Sequence, residues 1–403
     1  MSSSVELLEY ASADVPMSST TARDLSNLAQ GRLTVGIGAS PGTYRITATQ
    51  YVGVLVTPEL DIVIKPKVSL ENLFAMLGVG LPEQAWQRES FAFSSSRDLL
   101  AALSQFYARA LQQATSAGLL RTYRTENERL VMMRGRIDLP QQILHPARAT
   151  TIACTFDEYT TDVIENRMLK AATRHLLRVP GVPGPARRML RQSLPAFDEV
   201  QDVPVRPDAV DRLVFNRLNN HYEPALRLAQ LVLRNLSLID RVGSNDASAF
   251  LVDMNDLFQR YVTDRLRRAL RGRMQVDAEP TVHLGLRRQV AMAPDLVFTR
   301  SGVPVLVGDT KYKLSESGVG RSSDYYQMLA YVTAMDLPAG VLIYCQESGE
   351  APQRVVTVCN SGRELHTYPL TMTGTSKQLE AELVALADWL IAHSFAADVG
   401  RAS

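Results

Sequence analysis

The stretch that most constrains this chain runs from Leu296 to Lys311: two β-type runs, Leu-Val-Phe-Thr and Val-Pro-Val-Leu-Val-Gly, joined through Arg300-Ser301-Gly302 and closed by Asp309-Thr310-Lys311. The second run stays apolar up to its acid. Helix, strands, helix, strands, helix around this stretch make an α/β arrangement. A hairpin loop made of Arg300-Ser301-Gly302, with Gly302 left-handed, pairs Thr299 with Val303 and sets position 295 against 307. The two-residue side-chain period then puts Asp295, Asp309 and Lys311 on one face. A loop one residue shorter shifts the pairing and breaks the set.

Two carboxylates a few ångströms apart repel unless a cation lies between them or one is protonated. Aspartate oxygens are hard ligands suited to Mg²⁺, with waters and a phosphate completing the shell. A lysine ammonium at the same place can orient a water and offset charge developing on a phosphorus centre. Downstream, Asp324-Tyr-Tyr-Gln327-Met-Leu-Ala-Tyr331 puts Gln327 and Tyr331 four apart on one helix face, a spacing that ordinary packing explains equally well.

The flanking sequence divides into three blocks. Residues 1–120 alternate β-type runs (Leu33–Ile37, Tyr44–Ala48, Tyr51–Val56, Leu60–Lys65) with turn residues, then predict a short helix over Leu70–Leu77 and a longer one from Arg97 to about Leu119. Residues 121–245 are mostly helical and basic by five charges, 19 Lys and Arg against 14 Asp and Glu, with a linker expected at Val242–Ser248. Residues 246–403 predict a long amphipathic helix from Asn255, strands, a helix over Ser323–Met335, more strands and a closing helix from Lys377. The fold class is therefore α/β and α+β, multidomain, as a length of 403 residues with 46% apolar and 21% charged content suggests.

Other chemistries find little support. No run approaches the ~20 apolar residues of a membrane span, and the start Met-Ser-Ser-Ser-Val-Glu lacks the basic region and apolar stretch of a secretory signal. Three scattered cysteines suggest neither a disulfide framework nor a zinc site, so a cytoplasmic location is expected. Six histidines show no ligand spacing, and neither a Ser–His nor a Cys–His pair is suggested. Arg260, Arg265, Arg267, Arg268, Arg271, Arg273, Arg287 and Arg288 make the edge of the last block basic, which suits phosphate contacts or simply a solvated helix face.

Pro294-Asp295, Asp309-Thr-Lys311, and Gln327 followed by Tyr331 resemble the PD-(D/E)xK nuclease superfamily in its RecB-like form. Tyr51-Val-Gly-Val-Leu-Val, Ile64-Lys-Pro-Lys67, Asn72-Leu-Phe-Ala-Met76-Leu, Arg134-Gly-Arg136-Ile, Phe156-Asp-Glu158, Asn166-Arg-Met-Leu-Lys170 and Met254-Asn255-Asp-Leu-Phe258 are similar, in order, to landmarks of the McrC family, the nuclease subunits of McrBC restriction systems. The resemblance covers about residues 5–395. It implies an endonuclease that cuts double-stranded DNA with Mg²⁺ (Mn²⁺ as an alternative), while a separate AAA+ GTPase hexamer recognises modified cytosine such as 5-methylcytosine. GTP enters only through that partner, and the chain has no G-x-x-x-x-G-K-S/T phosphate loop of its own. It further implies metal ligation by Asp295, Asp309 and the Thr310 carbonyl, catalytic roles for Lys311, Gln327 and Tyr331, and partner docking through residues 1–120. Related nucleases often carry a glutamate on the helix before the sheet, where this chain has Gln259. Asp256 or Glu279 then substitutes, or the site works with two carboxylates. Two further readings stand beside this one: an inactive adaptor that only stimulates the GTPase, favoured by Gln259, and a stand-alone RecB-like exonuclease.

Overall fold

The computed structural model describes residues 3–77, 98–144, 150–179, 182–241, 244–312, 322–346 and 353–399. The chain forms two compact units, Met1–Arg97 with Ala249–Ser403, and Asp98–Ser248. These units cut across the three consecutive blocks expected above, 1–120, 121–245 and 246–403. The N-terminal segment packs with the C-terminal one because buried groups join them: Asn72 Nδ2 donates to the Met372 carbonyl at 2.7 Å and Tyr312 Oη to Glu9 Oε1 at 3.0 Å.

In the first unit, Ser3–Leu8 runs parallel to Leu60–Lys65, which pairs antiparallel with Tyr51–Val56. Gly53 has φ +139 and lies so close to Phe250 that a Cβ there would stand 2.0 Å from the Phe250 carbonyl oxygen, which explains the glycine inside this strand. A smaller sheet orders Ser12–Pro16, Thr43–Ala48 and Leu33–Ile37 beside the helix Ser19–Ala29. The expected linker falls partly within a strand, Ser244–Asp253, while Val242 and Gly243 lie outside the described residues.

The larger sheet has the order Gln275–Ala278, Leu296–Arg300, Val303–Lys311, Ala339–Gln346, Glu364–Thr371, Arg354–Thr357. Its centre is parallel, with Val303–Lys311 joined to Ala339–Gln346 through the helix Ser322–Ala334. Leu296, Phe298, Leu306, Val307, Val341, Leu342 and Ile343 are fully or almost fully buried, as a sheet covered on both faces requires. The helix Met254–Ala269 starts at Asp253, whose carboxylate accepts from the Asn255 and Asp256 amides. Beneath Ser322–Ala334, Val297, Val307, Met328, Tyr331, Val332, Leu342 and Tyr344 form one apolar cluster. Gly340 lets this helix sit close, since a Cβ there would meet Met328 Sδ at 2.3 Å and Val332 Cγ1 at 2.8 Å.

The second unit combines the helices Asp98–Thr115, Ile164–Arg178, Gly184–Ser193 and Glu223–Asn235 with a long antiparallel pair, Thr122–Leu130 and Ile152–Thr160. Tyr107 is fully buried among the helices, its hydroxyl donating to the Leu169 carbonyl at 2.6 Å. Beyond the hairpin strands, Val131, Met132, Met133, Leu139, Ile143 and Leu144 are all more than 60% exposed.

Candidate active site

The hairpin that carries the acids departs from the expected pairing in two compensating ways. Arg300 pairs with Val303, so the loop is only Ser301-Gly302, both at positive φ (50° and 81°). Alone, that shorter loop would turn Asp309 to the wrong face. A bulge restores the parity: Thr299 pairs with Pro304 but Phe298 with Leu306, leaving Val305 as the extra residue. Pro304 has no N–H for the ladder, which is why the irregularity falls beside it. Beyond the bulge Leu296 faces Gly308, and the register brings position 295 opposite 309 rather than 307.

Asp309 is 1% exposed, and Lys311 Nζ lies 2.5 Å from its Oδ2. Lys311 also donates to Gln327 Oε1 at 2.9 Å, Gln327 Nε2 donates to Tyr331 Oη at 2.8 Å, and Tyr331 donates to the Ala293 carbonyl at 3.2 Å. The four-residue spacing of Gln327 and Tyr331 therefore builds a continuous relay from the lysine to the backbone two residues before Asp295. Asp295 Oδ2 accepts from both the Thr310 amide and the Thr310 hydroxyl, each at 2.7 Å. The structure thus brings Asp295, Asp309, Thr310, Lys311, Gln327 and Tyr331 together.

Their electrostatics follow from burial. Desolvation first, and then the neighbouring Asp295 charge, push the Asp309 carboxyl up to about 6 against the pull of Lys311. Burial raises Asp295 as well, opposed by its two Thr310 hydrogen bonds. Burial lowers Lys311, but the carboxylates of Asp309, Asp295 and Asp324 outweigh it, so the ammonium form is held more firmly than usual. Asp309 Oδ2 is buried and accepts no well-directed hydrogen bond despite the nearby ammonium. An under-satisfied carboxylate beside a second one has the donor chemistry of a hard divalent cation. Among the described residues, no three His, Cys, Asp or Glu side chains gather closely enough to enclose a metal by themselves. Two aspartates completed by backbone, water or phosphate oxygens therefore fit Mg²⁺ better than a metal held in an all-protein cage.

Glu279 stands next to Asp295. Its amide donates to the Asp295 carbonyl at 3.1 Å, and its carboxylate accepts from Gln259 Nε2 at 3.1 Å. Gln259 thus holds an acid, while Asp256 pairs along its own helix with Arg260 at 3.8 Å. Sequence reasoning did not single out Asp324 and Tyr344. Asp324 is 3% exposed, accepts from Tyr344 Oη at 2.9 Å and adds negative potential at Asp309 and Lys311. The available signal for Asp324 was its place one turn before Gln327, whereas Tyr344, across from Lys311 in the parallel register, carried no local signal. The arginines divide. Arg267, Arg271 and Arg273 line a cavity with Ser301 and Gly302, at the other end of the strand and roughly 23 Å from Asp309 at 3.3 Å per residue. Arg287 and Arg288 instead lie between Val282–Leu284 and Val290–Met292, the hairpin that leads into Asp295.

A family model described as McrBC 5-methylcytosine restriction system component matches residues 46–345. No curated protein matches. Among solved structures, a chain in the half-complex of Thermococcus gammatolerans McrB AAA+ hexamers with bound McrC is 18% identical, with 96% of this chain and 100% of that chain covered and a TM-score of 0.56. A chain of the Thermococcus gammatolerans McrBC complex solved by cryo-EM is 21% identical, with 66% of this chain and 88% of that chain covered and a TM-score of 0.43. The first of these likenesses shows a shared fold, and the family model spans about three quarters of the sequence. The chain belongs to the McrBC 5-methylcytosine restriction system component family.

Proposed function

We propose that this chain is the nuclease subunit of an McrBC-type system: a Mg²⁺-dependent endonuclease that docks on a McrB-like AAA+ GTPase hexamer, stimulates its hydrolysis of GTP and cuts double-stranded DNA bearing modified cytosine. The observation that carries this reading is the placement of Asp295 against the Asp309-Thr310-Lys311 strand end, with Lys311 tied to Gln327 and Tyr331. Asp295 and Asp309 would hold the metal, with the Thr310 carbonyl as a further oxygen. A bound Mg²⁺ would supply Lewis-acid activation of the phosphodiester and of the attacking water. Thr310 fixes the Asp295 carboxylate by occupying one of its oxygens. Lys311 orients the water and offsets negative charge that builds on the phosphoryl oxygens, and Gln327, braced by Tyr331, keeps the ammonium aimed at the site. The bond between Gln259 and Glu279 supports an active site over an inactive adaptor, because the neutral residue keeps an acid beside Asp295.

The docking surface we assign to the exposed apolar side chains between Val131 and Leu144 in the second unit, rather than to residues 1–120. Six large apolar side chains more than 60% exposed within fourteen residues suit contact with a protein partner. A direct test incubates the chain with its GTPase partner, GTP and Mg²⁺ on plasmids with and without 5-methylcytosine. Cleavage confined to the modified plasmid and lost without GTP is expected. Progressive degradation from DNA ends by the chain alone would identify the exonuclease instead.

A further inference from the structure

Among the described residues, the strand that presents Lys311 makes its last backbone pair at Lys311 itself, opposite Tyr344. A strand end is where a sheet opens first, yet here it has to hold an ammonium in place. The next residue, Tyr312, is 2% exposed, and its side chain leaves the strand on the face opposite to Lys311. Its hydroxyl donates to Glu9 Oε1 at 3.0 Å, and its ring lies 6.0 Å from that of Phe258, on the helix that carries Gln259. Glu9 is 1% exposed and follows the strand Ser3–Leu8. Its amide donates to the Lys65 carbonyl at 3.1 Å, and its Oε1 also accepts from the Lys67 amide at 2.6 Å. A carboxylate is costly to bury, and a phenylalanine at 312 would fill the same space without needing one. A buried Glu9–Tyr312 hydrogen bond in place of an apolar contact points to a directional constraint rather than to packing alone.

We propose that Glu9 is a positioning residue for Lys311: through Tyr312 it pins the end of the strand to the N-terminal sheet, so that this sheet sets where the ammonium stands. The inference rests on the nuclease reading for its consequence in catalysis, but the positioning itself can be measured without DNA. Only six lysines occur in the chain, so acylation by acetic anhydride can be followed site by site by peptide mass mapping, with the exposed Lys377 as internal reference. In the full-length protein, Tyr312→Phe and Glu9→Ala should raise the Lys311 to Lys377 labelling ratio severalfold. Glu9→Gln, whose amide oxygen can accept both hydrogen bonds, should restore the wild-type ratio. With the GTPase partner, the first two variants should cut about tenfold to a hundredfold more slowly per folded molecule, the cost expected of a displaced catalytic group, with stimulation of GTP turnover unchanged.

An unchanged labelling ratio in both Tyr312→Phe and Glu9→Ala overturns the proposal, as does a Glu9→Gln variant that behaves like Glu9→Ala. Should one variant fail to fold, the other, compared with Glu9→Gln, still decides. A wild-type protein that never cuts would remove the nuclease reading, while the labelling ratios would still decide the positioning claim.

Discussion

Asp309→Asn should make the metal-free protein more stable while abolishing its response to Mg²⁺. A buried carboxyl whose pKa rises from 3.8 to about 6 resists ionisation in the fold, and once ionised this costs about 3 kcal/mol. Because the folded-state value is raised, the penalty is absent at low pH, grows as pH rises from about 4 through 6, and is complete above about pH 7. Asparagine keeps the shape and removes the charge. In EDTA at pH 8 it should raise Tm by about 6–12 °C, taking roughly 2–4 °C per kcal/mol for a unit of this size. At pH 5 the stability gain should be about half as large. Differential scanning calorimetry at both pH values, with and without excess Mg²⁺, measures each quantity. Mg²⁺ should raise the wild-type Tm by mass action and leave the variant unmoved. A variant no more stable than wild type at pH 8, or one that gains as much from Mg²⁺, would refute the assignment of Asp309 as a strained, metal-ready ligand.

Other consequences are distributed over both units. Gly340→Ala forces a Cβ against Met328 and Val332 and should cost about 1–3 kcal/mol in urea unfolding, with reduced cleavage because the helix carrying Gln327 is pushed off the sheet. Asp162 is clamped by Arg167 first, then by the Gln201 amide and Arg124, and is held well below the usual carboxylate range. Its removal in Asp162→Ala should cost about 3 kcal/mol at pH 7, and the gap from wild type should narrow as pH falls below about 4, where the carboxyl of the unfolded chain takes up its proton while the native one stays ionised. Met132→Asp combined with Met133→Asp should leave the melting temperature unchanged, because both side chains are exposed, but abolish stimulation of the GTPase in a turnover assay.

The clearest sequence signals were those with strong periodicity. The strands Leu33–Ile37, Tyr51–Val56 and Leu60–Lys65 and the helix Leu70–Leu77 fall where the sequence predicts them, and the helices from Met254 and Ser322 begin one residue earlier. The segments Thr122–Leu130 and Ile152–Thr160 were not anticipated as strands, because Arg124, Glu126, Glu128 and Arg129 give the first almost no apolar face and half of it is exposed. Two positions separated by 303 residues, Glu9 and Tyr312, join what looked like separate domains, and no local pattern reports a contact of that range. At the site, the face shared by the acids was anticipated by a pairing that the structure replaces. A shorter loop and a bulge at Val305 cancel in parity, and only Pro304 hinted at the bulge. Gln327 and Tyr331 were visible because helical spacing is local, whereas Tyr344 reaches Asp324 only across the parallel crossover.

The most direct test of the central claim compares wild type with Asp309→Ala and Lys311→Ala in single reactions containing methylated plasmid, the GTPase partner, GTP and Mg²⁺, recording strand cleavage and GTP turnover together. Both variants should stop cutting while still stimulating GTP hydrolysis to the wild-type extent. Variants that cut at the wild-type rate would place the phosphodiesterase elsewhere, and a wild-type chain that stimulates the GTPase without ever cutting would make it an adaptor.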